Sequence, residues 1–171
     1  RPQEMFKKMH LKNAINLMND KKFETWLGSI VNPGEKFYLI AENDAQLDVL
    51  ITRIAKRGYE NQIELAFVLE FGEAQMEVFD TEKLKENESA YTIVDIRNSS
   101  EIKNNRIFKD AIHIPLHELR ERTNKIPVHK PIVVHCAGGY RSAAGSSILR
   151  SKINGSSEVF DLSEAVKEFK K

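Results

Sequence analysis

One stretch of the chain concentrates residue types that can do chemistry: Val133-Val134-His135-Cys136-Ala137-Gly138-Gly139-Tyr140-Arg141-Ser142. A cysteine acts as a nucleophile through its thiolate, and a free thiol titrates near about 8.5. At the exit of a buried strand and directly before a helix, the Cys136 sulfur faces the positive helix end and unpaired backbone N–H groups. Gly138 and Gly139 are expected to let the backbone curl into a cup, because glycine accepts the positive φ that a concave loop requires. Arg141 adds a fixed cation that can stabilise a thiolate or an anionic substrate. A lone cysteine in an apolar strand is ordinarily inert packing. Two glycines and an arginine at the strand's exit have no packing rationale, so the segment is read as an anion-binding nucleophile. Cys136 and Arg141 are the expected catalytic pair. Ala137, Gly138, Gly139, Tyr140 and Ser142 form the expected binding loop.

Other candidates carry less. Asp95 and Arg97 lie at the exit of a neighbouring strand, on the edge where ligands collect in open α/β sheets. They are expected either to support the site or to brace the fold as an ion pair. His135 precedes the nucleophile, but side chains alternate along a strand, so it is expected to point away from Cys136 into the core. His113 and His117 are four apart, yet Pro115 interrupts any helix between them and no acidic cluster completes a metal site, so no metal is expected. Gly138-Gly139 is not followed by the Gly-Lys-Ser/Thr of a phosphate-binding loop. Lys7-Lys8 and Lys170-Lys171 read as solvated ends, and Trp26 as a core anchor.

The elements that must hold this loop follow from local patterns. Phe37-Tyr38-Leu39-Ile40-Ala41 and Ile132-Val133-Val134-His135 are continuous apolar runs of strand length, the signature of buried parallel strands. Asp44 is expected to cap a helix running to Arg57, with Gly58 beyond it, and Tyr59–Val68 to return as a strand. Asp80 is expected to cap a helix over 81–86. Tyr91–Ile96 reads as a strand, Ser99-Ser100-Glu101 as a helix start, and Ala111–Pro115 as a short apolar run. A short helix is expected over 116–124. Cys136–Ser142 reads as loop, Ala143–Ser151 as helix, Val159-Phe160 as strand, and 163–171 as a helix capped by Ser163. The strand, loop and helix from 37 to 57 match those from 132 to 151 at a distance of about 94 residues, which suggests an internal repeat. The junction is expected near 72–80, giving domains 1–75 and 76–171.

Composition removes whole classes of function. The 171 residues carry 26 basic and 25 acidic side chains, so there is no electrostatic case for nucleic acid or an anionic membrane as partner. No apolar run approaches the roughly 18 residues that cross a bilayer. A single cysteine makes no internal disulfide, which favours a reducing, cytoplasmic compartment. The chain opens Arg1-Pro2 without an initiator methionine, so an excised piece of a longer protein is expected.

From about residue 78 to 171 the sequence resembles the rhodanese-homology domains. Val94-Asp95-Ile96-Arg97 resembles the family's Asp-x-Arg strand end. Glu101, Ile107 and Ala111-Ile112-His113-Ile114-Pro115-Leu116 resemble the stretch that follows. The Cys-x4-Arg-Ser loop and Val159-Phe160-Asp161-Leu162 complete the pattern. Asn105-Arg106, Asp110, and Ser163-Glu164 depart from it. The resemblance implies an α/β fold, a parallel sheet with helices on both faces, preceded by a smaller degenerate copy without function. It also implies a sulfurtransferase that moves sulfur from thiosulfate or a persulfide to a thiol or cyanide, with small sulfur donors and thiol acceptors as its partners and no cofactor. Related phosphatases carry Cys-x5-Arg, one residue longer, so a phosphatase or arsenate reductase is the enzymatic alternative. A non-enzymatic sulfur-relay module is the other. Residues 1–75 look like the first copy found in proteins that fuse a metallo-β-lactamase-fold domain to rhodanese domains, which implies such a domain upstream.

Overall fold

A computed structural model describes residues 1–170. Lys171, the last residue of the expected terminal helix, lies outside the described residues. The chain forms two compact units: Arg1–Lys12 with Leu17–Gln75, and Asn13–Asn16 with the residues from Met76 onward.

The first unit contains α1 (Gln3–Lys8), α2 (Phe23–Ile30), β1 (Phe37–Ala41), α3 (Asp44–Ala55) and β2 (Ile63–Val68). β1 and β2 pair in parallel as a two-stranded sheet. Leu39 and Ala41 of β1 and Leu50 and Ile54 of α3 are buried together with Phe23 and Leu27 of α2. The cap of α3 is Asn43 rather than the expected Asp44. Its extended backbone lets the side-chain oxygen accept the Gln46 N–H at 2.9 Å, which leaves Asp44 as the first helical residue. β2 starts only at Ile63, because a 3-10 turn over Glu60–Gln62 precedes it.

The second unit contains α4 (Thr81–Glu86), β3 (Thr92–Asp95), α5 (Ser99–Asn104), β4 (Ile112–His113), α6 (Leu119–Arg122), β5 (Ile132–His135), α7 (Tyr140–Ile153) and β6 (Val159–Asp161). Its four strands are all parallel, in the order β4-β3-β5-β6. All four residues of β3 and all four of β5 are buried, which explains why Ile93-Val94 and Ile132-Val133-Val134 are apolar without alternation. Ile93 and Val133 face a cluster with Leu84, Phe108, Leu162 and Val166. On the opposite face α7 lies so close that a side-chain carbon on Gly145 would stand 2.6 Å from Ile96 Cδ1 and 3.3 Å from Val134 Cγ1. Helices therefore cover both sides of a parallel sheet, the α/β class expected.

Two local expectations need correction, and both bear on the site. α7 begins at Tyr140, three residues earlier than Ala143, because Gly139 at φ +98° ends the loop in one left-handed step. The loop is only Cys136–Gly139, and Tyr140, Arg141 and Ser142 stand on the first helical turn. Ser163 is the first residue of the terminal helix and not its cap. It takes φ +57°, its N–H donates to Asp161 Oδ1 at 2.8 Å, and a 3-10 helix runs over Ser163–Phe169. Among the described residues no helix is long and apolar enough to cross a membrane.

Candidate active site

The site is assembled at the carboxyl edge of the sheet. Asp95 is in register with both His113 of β4 and His135 of β5, and the Ile96 N–H donates to the His135 carbonyl at 3.1 Å. The chain leaving β5 therefore delivers Cys136 to the edge of a fully paired sheet, where its backbone has no strand to continue.

Cys136 is 1% exposed. Its Sγ accepts the Gly139 N–H at 3.2 Å and lies 3.7 Å from Ser142 Oγ, which itself donates to the Gly139 carbonyl at 3.0 Å. Backbone amide, sulfur and hydroxyl thus form a closed set around one atom. Of the two glycines, only Gly139 has the positive φ that was expected of both. A side-chain carbon there would also stand 3.0 Å from Glu164 N and from Ser163 C, so glycine is required twice over. Gly138 has open space, with nothing within 4 Å of a Cβ built there. Ala137 and Tyr140 flank the pair, each half-buried.

Arg141 is not aimed alone at the sulfur. Its Nη1 and Nη2 donate to Glu101 Oε2 and Oε1 at 2.6 and 2.8 Å, a bidentate pair that fixes the guanidinium plane. Glu101 also accepts the Asn98 N–H at 3.0 Å, so one carboxylate holds the start of α5 and the cation on the first turn of α7. The hydrogen bond from Arg141 holds the Glu101 carboxyl down to about 2. The sequence resemblance includes Glu101 but gives it no role. Its spacing of 40 residues from Arg141 gives no local signal.

Asp95 and Arg97 form a buried pair. Arg97 Nε donates to both carboxylate oxygens at 3.0 Å, Nη2 to Oδ2 at 2.6 Å, and the Arg97 N–H to Oδ1 at 3.0 Å. With side chains 2% and 5% exposed, the pair ties off the end of β3, and it also lies close enough to the site for Asp95 to act electrostatically on Arg141 and Arg97 on Glu101. His113 adds a contact from its Nε2 to the Arg97 carbonyl at 2.8 Å. His135 is fully buried, with its ring against the edge of Phe108 and its Nε2 3.5 Å from Asp95 Oδ2. Burial lowers its imidazole to about 4, against the opposing pull of Asp95, so it is neutral at pH 7. It lies behind the nucleophile, in the core.

Lys170, read from sequence as a solvated end, donates from Nζ to the Ala137 carbonyl at 2.6 Å. Nothing in the sequence places it there, because the contact needs the whole carboxyl-terminal segment to fold back on the loop. Among the described residues no group of three or more His, Cys, Asp or Glu side chains is placed to hold a metal ion.

A family model described as a rhodanese-like domain matches residues 80–171. The uncharacterized protein YqhL of Bacillus subtilis (strain 168) is 31% identical over 77 residues, 45% of this chain and 59% of that protein. The chain thus spans about three fifths of the length of that curated relative. Among solved structures, a rhodanese-related protein from Thermoplasma volcanium is 29% identical, with a TM-score of 0.48, covering 54% of this chain and 89% of that one. An NAD-dependent persulfide reductase from A. fulgidus is 28% identical, with a TM-score of 0.40, covering 75% of this chain and 20% of that one.

Proposed function

Because the chain belongs to the rhodanese-like domain family, we propose that it is a sulfurtransferase that carries sulfane sulfur as a persulfide on Cys136. The observation that carries this reading is the setting of its only cysteine. The sulfur sits at the end of a buried parallel strand, accepts a loop N–H at 3.2 Å and is separated from the start of α7 only by the short loop 137–139. Four residues separate it from Arg141, and a cup this short suits a single added sulfur atom better than a tetrahedral phosphoryl group.

The reaction divides into two displacements. The Cys136 thiolate attacks the outer sulfur of thiosulfate or of a small persulfide. A new S–S bond forms as the donor's S–S bond breaks, and the electron pair leaves with sulfite or with the donor thiolate. The terminal sulfur of the persulfide then bears the negative charge, and preset loop N–H groups stabilise that charge without reorganising. An acceptor thiolate or cyanide attacks the terminal sulfur, and the Cys136 thiolate departs unchanged. No external oxidant or cofactor enters, because the sulfur travels on the enzyme. Arg141, held flat by Glu101, supplies a cation of fixed geometry at the start of α7.

In this reading residues 1–75 take no part in transfer. The turn after β1 and the start of α3, Glu42-Asn43-Asp44-Ala45-Gln46, have no cysteine, glycine or arginine, and their two carboxylates repel an anionic donor. We extend the proposal to a degenerate copy of the catalytic unit, joined in the full-length protein to a metallo-β-lactamase-fold domain upstream.

The test is thiocyanate formation from cyanide with thiosulfate or glutathione persulfide as donor. Wild-type protein is expected to turn over and Cys136→Ser to be inactive with an unchanged circular dichroism spectrum. Hydrolysis of a phosphate ester, or reduction of arsenate, without any sulfur transfer would overturn the assignment in favour of the enzymatic alternative.

A further inference from the structure

Segment 163–170 grips the loop at two points. At one end, Gly139 packs backbone to backbone against Ser163 and Glu164. At the other, the Lys170 ammonium donates to the Ala137 carbonyl at 2.6 Å. The position of Lys170 is itself secured. Val166 is fully buried, the Phe169 ring stands 5.1 Å from that of Phe108, and the Lys170 N–H donates to the Lys167 carbonyl at 3.4 Å. Among the described residues Lys170 makes no ion pair, so its charge is directed at the carbonyl.

A trans peptide is planar, and its C=O and N–H point in opposite directions. Holding the Ala137 carbonyl on the Lys170 side therefore turns the Gly138 N–H away from Lys170. Little else restrains this peptide. Gly138 has no side chain, and open space surrounds the place where one would stand. Without an anchor, the Ala137–Gly138 peptide is free to rotate, and an amide that rotates is a poor donor.

We propose that Lys170 is a positioning residue: its ammonium clamps the Ala137–Gly138 peptide so that the Gly138 N–H joins the Gly139 N–H in facing the sulfur of Cys136. The cation also polarises the peptide it holds, which strengthens the N–H at the other end. The catalytic consequence rests on the sulfurtransferase reading, whereas the clamp itself does not. Oriented N–H donors matter most when negative charge develops on the bound atom, and removing one from such a site slows reactions by roughly 10²–10³-fold. Loosening a donor without removing it costs less, about tenfold.

The experiment compares wild type, Lys170→Met and Lys170→Arg in two measurements on the full chain. The first is ¹⁵N relaxation of the Gly138 amide. It is expected to be ordered in wild type and Lys170→Arg and mobile in Lys170→Met, while the melting temperature stays the same. The second is the first-order rate of sulfur loading at saturating thiosulfate. It is expected to fall about tenfold in Lys170→Met and to recover in Lys170→Arg. An equally ordered Gly138 amide in Lys170→Met overturns the clamp. So does a change confined to the apparent affinity for thiosulfate and abolished by salt, which marks Lys170 as a surface charge. If wild type takes no sulfur from any donor, the sulfurtransferase reading fails, and the amide measurement still decides the clamp.

Discussion

Lowering the pH from 7 to 4.5 is expected to destabilise the second unit through one side chain, His135. The imidazole is fully buried, with Phe108 against its ring, the Cys136 carbonyl 3.4 Å from Nδ1 and Asp95 Oδ2 3.5 Å from Nε2. Its Nε2 has no hydrogen-bond partner. Burial holds its pKa down to about 4 from 6.5, with Asp95 pulling the other way and Arg97 reinforcing the depression. Between these values the unfolded chain binds a proton that the folded chain refuses. Stability is therefore full above pH 6.5 and drains away as the pH falls towards 4. At about 1.4 kcal/mol per unit of pKa difference, the loss between pH 7 and 4.5 is about 2 kcal/mol. The carboxyl of Glu101, held near 2, adds its own loss only below its ordinary value of 4.5, so the His135 effect is read above that point. Urea unfolding followed by circular dichroism at half-unit pH steps measures it, with His135→Met as the control. The variant removes the titrating group without leaving a hydrogen-bond partner of Nε2 stranded, so its stability is expected to vary about 2 kcal/mol less over this interval. Equal pH dependence in the two proteins would refute the reasoning.

Other perturbations test the frame around the loop. Asp95→Ala strands the Arg97 guanidinium in the core and is expected to cost about 3–5 kcal/mol, read as a lower urea midpoint. Gly139→Ala forces a side chain into a left-handed backbone, 3.0 Å from the backbone of residues 163 and 164. It is expected to cost about 2 kcal/mol or more in the same assay and to expose Cys136 to alkylation under native conditions.

The parts of this molecule written in contiguous residues are legible in the sequence. Ile132–His135 is buried along its whole length in a parallel sheet, whereas Phe37–Ala41 pairs in parallel but is buried only at Leu39 and Ala41, with Tyr38 62% exposed, so the apolar run read as a buried strand there is half right. The cysteine, the two glycines and the arginine stand together in one strand-to-helix turn, where Gly139 alone has the left-handed backbone that glycine serves. Where α7 begins was less legible, because Tyr140-Arg141-Ser142 carries no cap signal and Gly139's left-handed φ alone sets the start. Contacts between distant segments left no local trace. Glu101 meets Arg141 across 40 residues, and Lys170 meets Ala137 across 33. The Asp95–Arg97 pair is visible as a spacing, but its burial at the end of β3 is not.

The central claim is that Cys136 carries the sulfur, and intact-protein mass spectrometry tests it most directly. Cys136 is the only cysteine, so a single addition has one site. After incubation with thiosulfate or glutathione persulfide and removal of the donor, wild type is expected to gain the mass of one sulfur atom, about 32 Da. Cyanide is expected to return it to its starting mass, and Cys136→Ser to gain nothing. A wild-type mass unchanged by every donor, or the same gain in Cys136→Ser, would contradict the account.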